Sequence, residues 1–175
     1  MELCEASLDQ LFLKSDHPRK YKGPSLPPHL TVFLQLASGL EYIHCNGFFH
    51  RDIKPSNVLI FIDPNSNNQI TMKWADFGLS NLVKERETCT LIGIGKGTKY
   101  YSAPELLRSQ VKNEGPGRDT VKSDVFSFAL VIGYLLLDGQ HLYGSFCDIP
   151  INILNKNQVN MKSKFYNLKK YYCIK

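Results

Sequence analysis

Apolar residues recur every three or four positions between residues 28 and 45, a spacing typical of a helix with one buried stripe. Asn46 and Gly47 follow this segment, and glycine readily adopts the left-handed conformation that often ends a helix. The pattern therefore predicts a helix over 28–45. The positions that we assign to its buried stripe are Leu30, Phe33, Leu34, Ala37, Leu40 and Ile43.

The next segment has the pattern of a β-hairpin. Residues 58–61, Val-Leu-Ile-Phe, have the β-branched and aromatic composition of a strand. Residues 63–69, DPNSNNQ, are turn-forming, and residues 70–74 have the pattern of a returning strand. Because a hairpin brings the chain back to its starting point, we expect the residues after 74 to lie near the polar segment 48–57.

The remaining segments complete a fold that we assign to the α+β class and expect to be mainly α-helical. Residues 5–14 and 104–110 predict short helices. Residues 123–138 predict a central buried helix whose apolar run is too short to span a bilayer. Residues 15–28 are rich in Pro and Gly and predict a surface loop. Residues 79–102 lack periodicity and predict a loop of a length that is usually functional.

Composition narrows the class of protein further. A chain of 175 residues with 43% hydrophobic residues is long enough to bury the core of one domain. Its five cysteines are odd in number and contain no C-x-x-C pair, which argues against a disulfide framework or a zinc site and favours a reducing compartment. Four of the histidines, at 17, 29, 44 and 141, have no metal-ligand spacing. The acidic start, MELCEASLDQ, is not the pattern of a signal peptide.

The net charge of +5 belongs to the end of the chain. From Ile149 onward there are six lysines and no acidic residue, which leaves 15 basic and 16 acidic residues in the rest. A basic, aromatic tail is compatible with contact to nucleic acid or anionic lipid. A solvated terminus explains the same composition more simply, so we do not expect RNA binding.

The residues that indicate chemistry are three oxygen-bearing side chains around the predicted hairpin. Asp52 and Asn57 lie five residues apart in the polar segment, and Asp76 follows the returning strand. Two oxygen ligands from Asn57 and Asp76, completed by phosphates and water, suit Mg²⁺. Asp52 is then placed to accept or orient a substrate hydroxyl proton, and Lys54 to neutralise the charge of a transferring phosphoryl group.

Two short sequence motifs contain these residues, and a third follows them in the chain. They are His50-Arg51-Asp52-Ile53-x₃-Asn57, Asp76-Phe77-Gly78 and Ala103-Pro104-Glu105. In this arrangement residues 1–147 resemble the C-terminal lobe of a eukaryotic protein kinase, from the hinge onward, and residues 148–175 form a basic tail. Lys54, two residues after Asp52, resembles the serine/threonine class rather than the tyrosine class.

The resemblance implies a site for ATP and Mg²⁺. It places Met1 at the gatekeeper position, Glu2 and Cys4 in the hinge that would bond adenine, and Leu59 beneath adenine. The other residues implied to contact ATP or its metal are Lys54, Pro55, Ser56, Asn57 and Asp76.

The resemblance also implies regulatory and structural roles. Arg51 would pair with a phosphate on the activation loop, with Thr88 and Thr90 as the candidate acceptors. Thr98 would form hydrogen bonds in the direction of Asp52 and Lys54. The residues with implied structural roles are His50 and Phe77, stacked together, Gly78, Glu105, and Asp124, which would hold the catalytic loop through backbone N–H groups.

Longer stretches narrow the resemblance. MELCEASLDQLF, GTKYYSAPELL and DGQHLYGSF are similar to the inositol-requiring-enzyme family of kinase/endoribonucleases, sensors of the unfolded protein response, with RNase L as a relative. This similarity implies a protein substrate, with self-association of kinase domains as one option. It also implies a cytoplasmic location, with the cytosolic face of the endoplasmic reticulum membrane as an option for the parent protein.

In this alignment the Gly-rich loop, the phosphate-binding lysine and its glutamate partner all precede the hinge. Later helices, and an arginine that pairs with Glu105 in the family, are also absent from the chain. We therefore expect Glu105 to be partly buried without its partner, at a cost of about 3–5 kcal/mol. Two readings remain open: a piece of an active serine/threonine kinase, or a catalytically dead kinase-like binding and regulatory fragment.

Overall fold

The computed structural model describes residues 3–82, 98–112 and 120–161. Residues 1 and 2, 83–97, 113–119 and 162–175 lie outside the described part.

The first helix, α1, spans His29–Cys45 and confirms the prediction for 28–45. Pro28 precedes it, and Gly47, at φ 78°, adopts the expected left-handed conformation just beyond its end. The predicted stripe is only partly correct, because Leu30 and Leu34 are 68% and 54% exposed. The buried residues of α1 are Val32, Leu36, Leu40 and Ile43.

The buried side of α1 differs from the prediction because its neighbours select it. The helix packs against the hairpin and a later helix, α3 (Val121–Leu136), so the side chains that face both are the ones removed from water. The Trp74 indole Nε1–H donates a 2.8 Å hydrogen bond to the Leu36 carbonyl, which fixes the rotation of α1 on the hairpin. Phe33 stacks on Phe128 with ring centroids 5.5 Å apart but stays 39% exposed.

The predicted hairpin is confirmed. Strands β3, Val58–Asp63, and β4, Gln69–Trp74, pair antiparallel, with Val58 opposite Trp74 and Asp63 opposite Gln69. A third strand, β1, Ala6–Ser7, pairs antiparallel with the other edge of β3.

The prediction of a helix over 5–14 is wrong in its detail. The segment forms β1 and then a short 3₁₀ helix, Leu8–Phe12, within which Leu8 is fully buried. The backbone N–H of Glu5 donates to the Ile60 carbonyl at 3.0 Å. A continuous helix from residue 5 would lose this pairing with the edge of β3, so tertiary contact overrides the helical spacing.

The remaining elements include three helices and a second, two-stranded sheet. Helix α2 spans Pro104–Lys112, and helix α3 spans Val121–Leu136, close to the ranges predicted for both. Helix α4, Ile149–Leu154, was not anticipated from the sequence. Neither was the two-stranded antiparallel pair of β2, Phe48–Phe49, with β5, Asn81–Leu82.

Helix α3 contributes to two hydrophobic clusters on opposite sides. Phe128, Val131 and Leu135 join a core with α1 and the hairpin. Leu130 joins a second core with Leu107 of α2 and residues of α4. Within the described ranges, every helix is too short or too polar to cross a membrane.

Candidate active site

Residues 50–57 connect β2 to β3, and we call this segment the 50–57 loop. Its start is held by Asp124, in the first turn of α3, whose side chain is buried. The Asp124 carboxylate accepts hydrogen bonds from the backbone N–H groups of His50 at 2.8 Å and Arg51 at 3.0 Å. Arg51 has a φ of 70°, so this carboxylate holds a backbone turn that a non-glycine residue rarely adopts.

A third contact orients the same carboxylate. The Nε2 atom of His44, at the end of α1, lies 2.9 Å from Asp124 Oδ2. His44 was not predicted to be a functional residue because it lacks metal-ligand spacing. Its position in the last turn of the helix before the 50–57 loop was the only available signal, since its partner lies 80 residues later.

His50 joins the 50–57 loop to the segment that precedes Asp76. Its side chain is completely buried, and its Nε2 atom lies 3.1 Å from the Ala75 carbonyl, which can only accept a hydrogen bond. The backbone N–H of Asp52 donates to Nδ1 at 3.4 Å, so the neutral tautomer with hydrogen on Nε2 satisfies both contacts. Burial lowers the pKa of His50, which favours the same neutral form. Phe77 packs against the imidazole, with ring centroids 5.0 Å apart.

Asp52, Lys54 and Asn57 form one hydrogen-bonded group. Asp52 is 3% exposed, and its Oδ2 atom lies 2.6 Å from Lys54 Nζ and accepts from Asn57 Nδ2 at 3.0 Å. The same Nδ2 group donates to the Asp52 carbonyl at 2.8 Å. Because Asp52 takes both donors of the Asn57 amide, the Asn57 Oδ1 atom is the one that is available as a metal ligand.

Asp76 is brought to this group through the backbone. The Ala75 N–H donates to the Asn57 carbonyl at 2.9 Å, so the residue preceding Asp76 is bonded directly to Asn57. Asp76 is exposed, has a left-handed φ of 64°, and accepts from the Gly78 N–H at 3.4 Å. In the described ranges, no cluster of three or more His, Cys, Asp or Glu side chains is arranged to hold a metal ion. An amide and a carboxylate oxygen still suit Mg²⁺ when phosphate and water supply the other ligands.

The other residues implied to contact ATP lie along β1, β3 and the 50–57 loop. Cys4 is half-buried just before β1, and Leu59 is half-buried in β3, opposite Ser7. Pro55 is buried and Ser56 exposed in a 3₁₀ turn, Pro55–Asn57. Met1 and Glu2 lie outside the described residues.

Some of the implied regulatory residues lie in the described part of the chain and others lie outside it. The Arg51 guanidinium donates from Nη1 to the Leu79 carbonyl at 3.4 Å. Thr98 begins a 3₁₀ helix, Thr98–Tyr101, but its side chain lies outside the described part of the chain. Thr88 and Thr90 lie outside it entirely.

The expectation for Glu105 is wrong. Its side chain is exposed and accepts a 3.0 Å hydrogen bond from the Ser123 hydroxyl. Ser123 belongs to the first turn of α3 and also takes part in a capping box with Thr120. Since water and Ser123 solvate the carboxylate, the desolvation cost expected for a buried acid does not arise.

Three known kinases show extended similarity to the chain. Serine/threonine-protein kinase/endoribonuclease IRE1b of Arabidopsis thaliana is 32% identical over 140 residues, which are 78% of this chain and 14% of that protein. CBL-interacting protein kinase 15 of Oryza sativa subsp. japonica is 39% identical over 110 residues, 63% of this chain and 24% of that protein. CBL-interacting serine/threonine-protein kinase 26 of Arabidopsis thaliana is 35% identical over 130 residues, 74% of this chain and 26% of that protein.

The chain therefore spans about a quarter or less of these relatives. The family described as protein kinase domain matches residues 5–171, a range that includes the 50–57 loop, the hairpin and α1 to α4. Two of the relatives above are serine/threonine-protein kinases by name. Because the matched range covers nearly the whole chain and contains the Asp52, Lys54 and Asn57 group, the chain belongs to the protein kinase family.

Proposed function

We propose that residues 1–147 form the hinge and C-terminal lobe of a serine/threonine kinase that transfers the γ-phosphate of ATP to protein serine or threonine. Residues 148–175 are a basic tail in this proposal, and α4, at the start of this tail, packs against the lobe through Ile149 and Ile153. The observation that carries it is the hydrogen-bonded group of Asp52, Lys54 and Asn57, in which the buried Asp52 carboxylate lies 2.6 Å from the partly exposed Lys54 ammonium group.

In the proposed reaction the substrate hydroxyl oxygen bonds to the γ-phosphorus while the bond between the γ-phosphorus and the β,γ-bridging oxygen breaks. ADP leaves, and the Asp52 carboxylate accepts the hydroxyl proton. Lys54 holds positive charge beside the phosphoryl group as its negative charge spreads to the equatorial oxygens. Asn57 Oδ1 and the Asp76 carboxylate would hold Mg²⁺, which neutralises charge on the phosphate oxygens when bound.

We further propose that the parent protein is a sensor kinase of the unfolded-protein-response type, located in the cytoplasm or on the cytosolic face of the endoplasmic reticulum. The similarity to IRE1b supports this because it extends over more of the chain than the similarity to either CBL-interacting kinase. Self-association of kinase domains, and a phosphate from Thr88 or Thr90 at Arg51, belong to the same proposal.

The activity test is phosphoryl transfer by the full-length protein that contains this chain. Incubation with Mg²⁺, γ-labelled ATP and a mixture of protein substrates is expected to yield labelled phosphoserine and phosphothreonine, because Lys54, two residues after Asp52, resembles the serine/threonine class. Phosphoamino-acid analysis of the product measures this. Label on tyrosine alone would contradict the substrate class. ATP binding without any transfer would favour the alternative, a catalytically dead binding and regulatory module.

The metal assignment gives a separate prediction. Asp76→Asn is expected to raise the Mg²⁺ concentration for half-maximal activity about tenfold or more, because a neutral amide replaces the charged ligand of a hard cation. A Mg²⁺ titration of the initial rate at saturating ATP measures the change. Asp16→Asn, which neutralises an exposed carboxylate in the loop before α1, is the matched control and should leave the titration unchanged. An unchanged titration for Asp76→Asn would remove Asp76 from the metal site.

A further inference from the structure

A cleft of about 450 Å³ lies outside the group formed by Asp52, Lys54 and Asn57. One wall comes from the start of β1 and from the 3₁₀ helix Leu8–Phe12, and the other comes from the loop that precedes α1. This volume is within the range of clefts that bind small ligands or short peptide segments. The lining residues are Glu5, Ala6, Gln10 and the run from Pro18 to Gly23.

The cleft is basic in a part of the chain that is otherwise balanced in charge. Arg19, Lys20 and Lys22 line it, and Glu5 is the one acidic residue among its lining residues. Over residues 1–148 the chain has 15 basic and 16 acidic side chains, so this local excess is not a reflection of overall charge. Arg19 and Lys22 are exposed and therefore accessible to a partner.

The floor of the cleft is fixed by specific contacts. Tyr21 is 9% exposed; its backbone N–H donates to the Gln10 carbonyl at 3.1 Å and its hydroxyl to the Pro24 carbonyl at 2.8 Å. The Lys20 ammonium group donates to the Leu11 carbonyl. A Cβ atom on Gly23 would lie 2.6 Å from the Tyr21 hydroxyl oxygen, so the absence of a side chain there is what lets the ring occupy this position.

We infer that this cleft is a docking site for an acidic segment of a protein partner, with carboxylates of the segment paired to Arg19 and Lys22. Guanidinium and ammonium groups form charge-assisted hydrogen bonds with carboxylates. The cleft is also larger than a single phosphate ion requires. Glu5 in the wall can accept hydrogen bonds from the backbone N–H groups of a peptide, and a nucleic-acid backbone has no such donors, which favours a peptide over a nucleic acid.

The cleft lies close to the 50–57 loop, which bears on the choice of substrate. The 3₁₀ helix Leu8–Phe12 carries Gln10 into the cleft and also packs against the 3₁₀ turn Pro55–Asn57 of the 50–57 loop. A segment docked in the cleft is thus separated from the Pro55–Asn57 turn by one short helix, so docking would favour substrate proteins that carry an acidic segment. This consequence rests on the proposed function, whereas the docking itself requires no phosphoryl transfer and is tested without ATP.

The test is binding of a fluorescein-labelled peptide of alternating Glu and Gly to the full chain, followed by fluorescence anisotropy. The same peptide with Gln for Glu is the ligand control and should bind at least about tenfold more weakly. Arg19→Glu with Lys22→Glu should weaken binding of the acidic peptide about tenfold or more. Arg108→Glu with Lys122→Glu reverses two exposed charges elsewhere, on α2 and α3, and is expected to change binding less than about twofold.

Several results would overturn the inference. Equal losses in the two double variants would show that only overall charge is sensed. Full displacement of the peptide by millimolar inorganic phosphate would identify a phosphate site instead. Tighter binding of a single-stranded RNA, lost in the Arg19 and Lys22 variant, would identify a nucleic-acid site. If thermal unfolding shows that the reversal variant does not fold, Arg19→Gln with Lys22→Gln decides the result, and an unchanged affinity there contradicts docking in the cleft.

Discussion

Asp52→Asn in the full-length protein is expected to lower kcat for phosphoryl transfer about 10³-fold, with little change in the KM for ATP. The amide has the size of the carboxylate but cannot accept the hydroxyl proton. Asn57 keeps an acceptor for its Nδ2 group in the Asp52 backbone carbonyl, so the 50–57 loop retains a contact at 2.8 Å. Steady-state kinetics with a serine-containing protein substrate measure the change.

The control for this prediction separates loss of chemistry from loss of fold. The thermal unfolding midpoint of Asp52→Asn should stay close to that of the unaltered protein, because the group still has hydrogen-bond partners at Lys54 and Asn57. Asp148→Asn changes an exposed acid just before α4 and should leave kcat unaffected. A variant at position 52 that retains kcat would show that Asp52 does not take part in the reaction.

The second large effect is expected at Asp124. Asp124→Ala removes the acceptor for the N–H groups of His50 and Arg51 and leaves them buried or half-buried without it. Because each unpaired buried donor costs about 1–3 kcal/mol, we expect the free energy of unfolding to fall by about 3 kcal/mol or more. Urea denaturation measures the change, and amide hydrogen exchange at residues 50 and 51 should show faster exchange than in the unaltered protein.

Two further variants test this explanation. Asp124→Asn keeps one carbonyl acceptor and is expected to fall between the unaltered protein and Asp124→Ala. Lys122→Ala, on an exposed position of the same helix, should change the free energy of unfolding by less than about 0.5 kcal/mol. If Asp124→Ala lowers stability no more than Lys122→Ala does, the carboxylate does not hold the 50–57 loop.

The hairpin and the main helices could be predicted because their signals are local. Residues 63–69 combine turn-forming side chains between two β-rich runs, and the structure has β3 and β4 at those runs. The prediction for residues 5–14 failed because β1 is stabilised by pairing with β3, more than 50 residues away in sequence. Local spacing cannot report a strand partner at that distance.

The buried side of α1 shows the same limit within a correctly predicted element. Periodicity located the helix, but Leu30 and Leu34 are exposed and Val32 and Leu36 are buried. Val32 has as clear an apolar character as Leu30. The choice between them is made by packing against β4 and α3, which sets the rotation of the helix about its axis.

By itself the sequence determined which residues form the candidate active site. Asp52, Lys54 and Asn57 lie within six residues, so their proximity follows from the covalent chain. Tertiary structure alone decided which groups hold those residues in place: His44 and Asp124 meet across 80 residues. It also decided that Glu105 is solvated and that Arg19 and Lys22 line a cleft. The physical reason is that propensity and periodicity act over a few residues, whereas such contacts form only when distant segments pack together and exclude water.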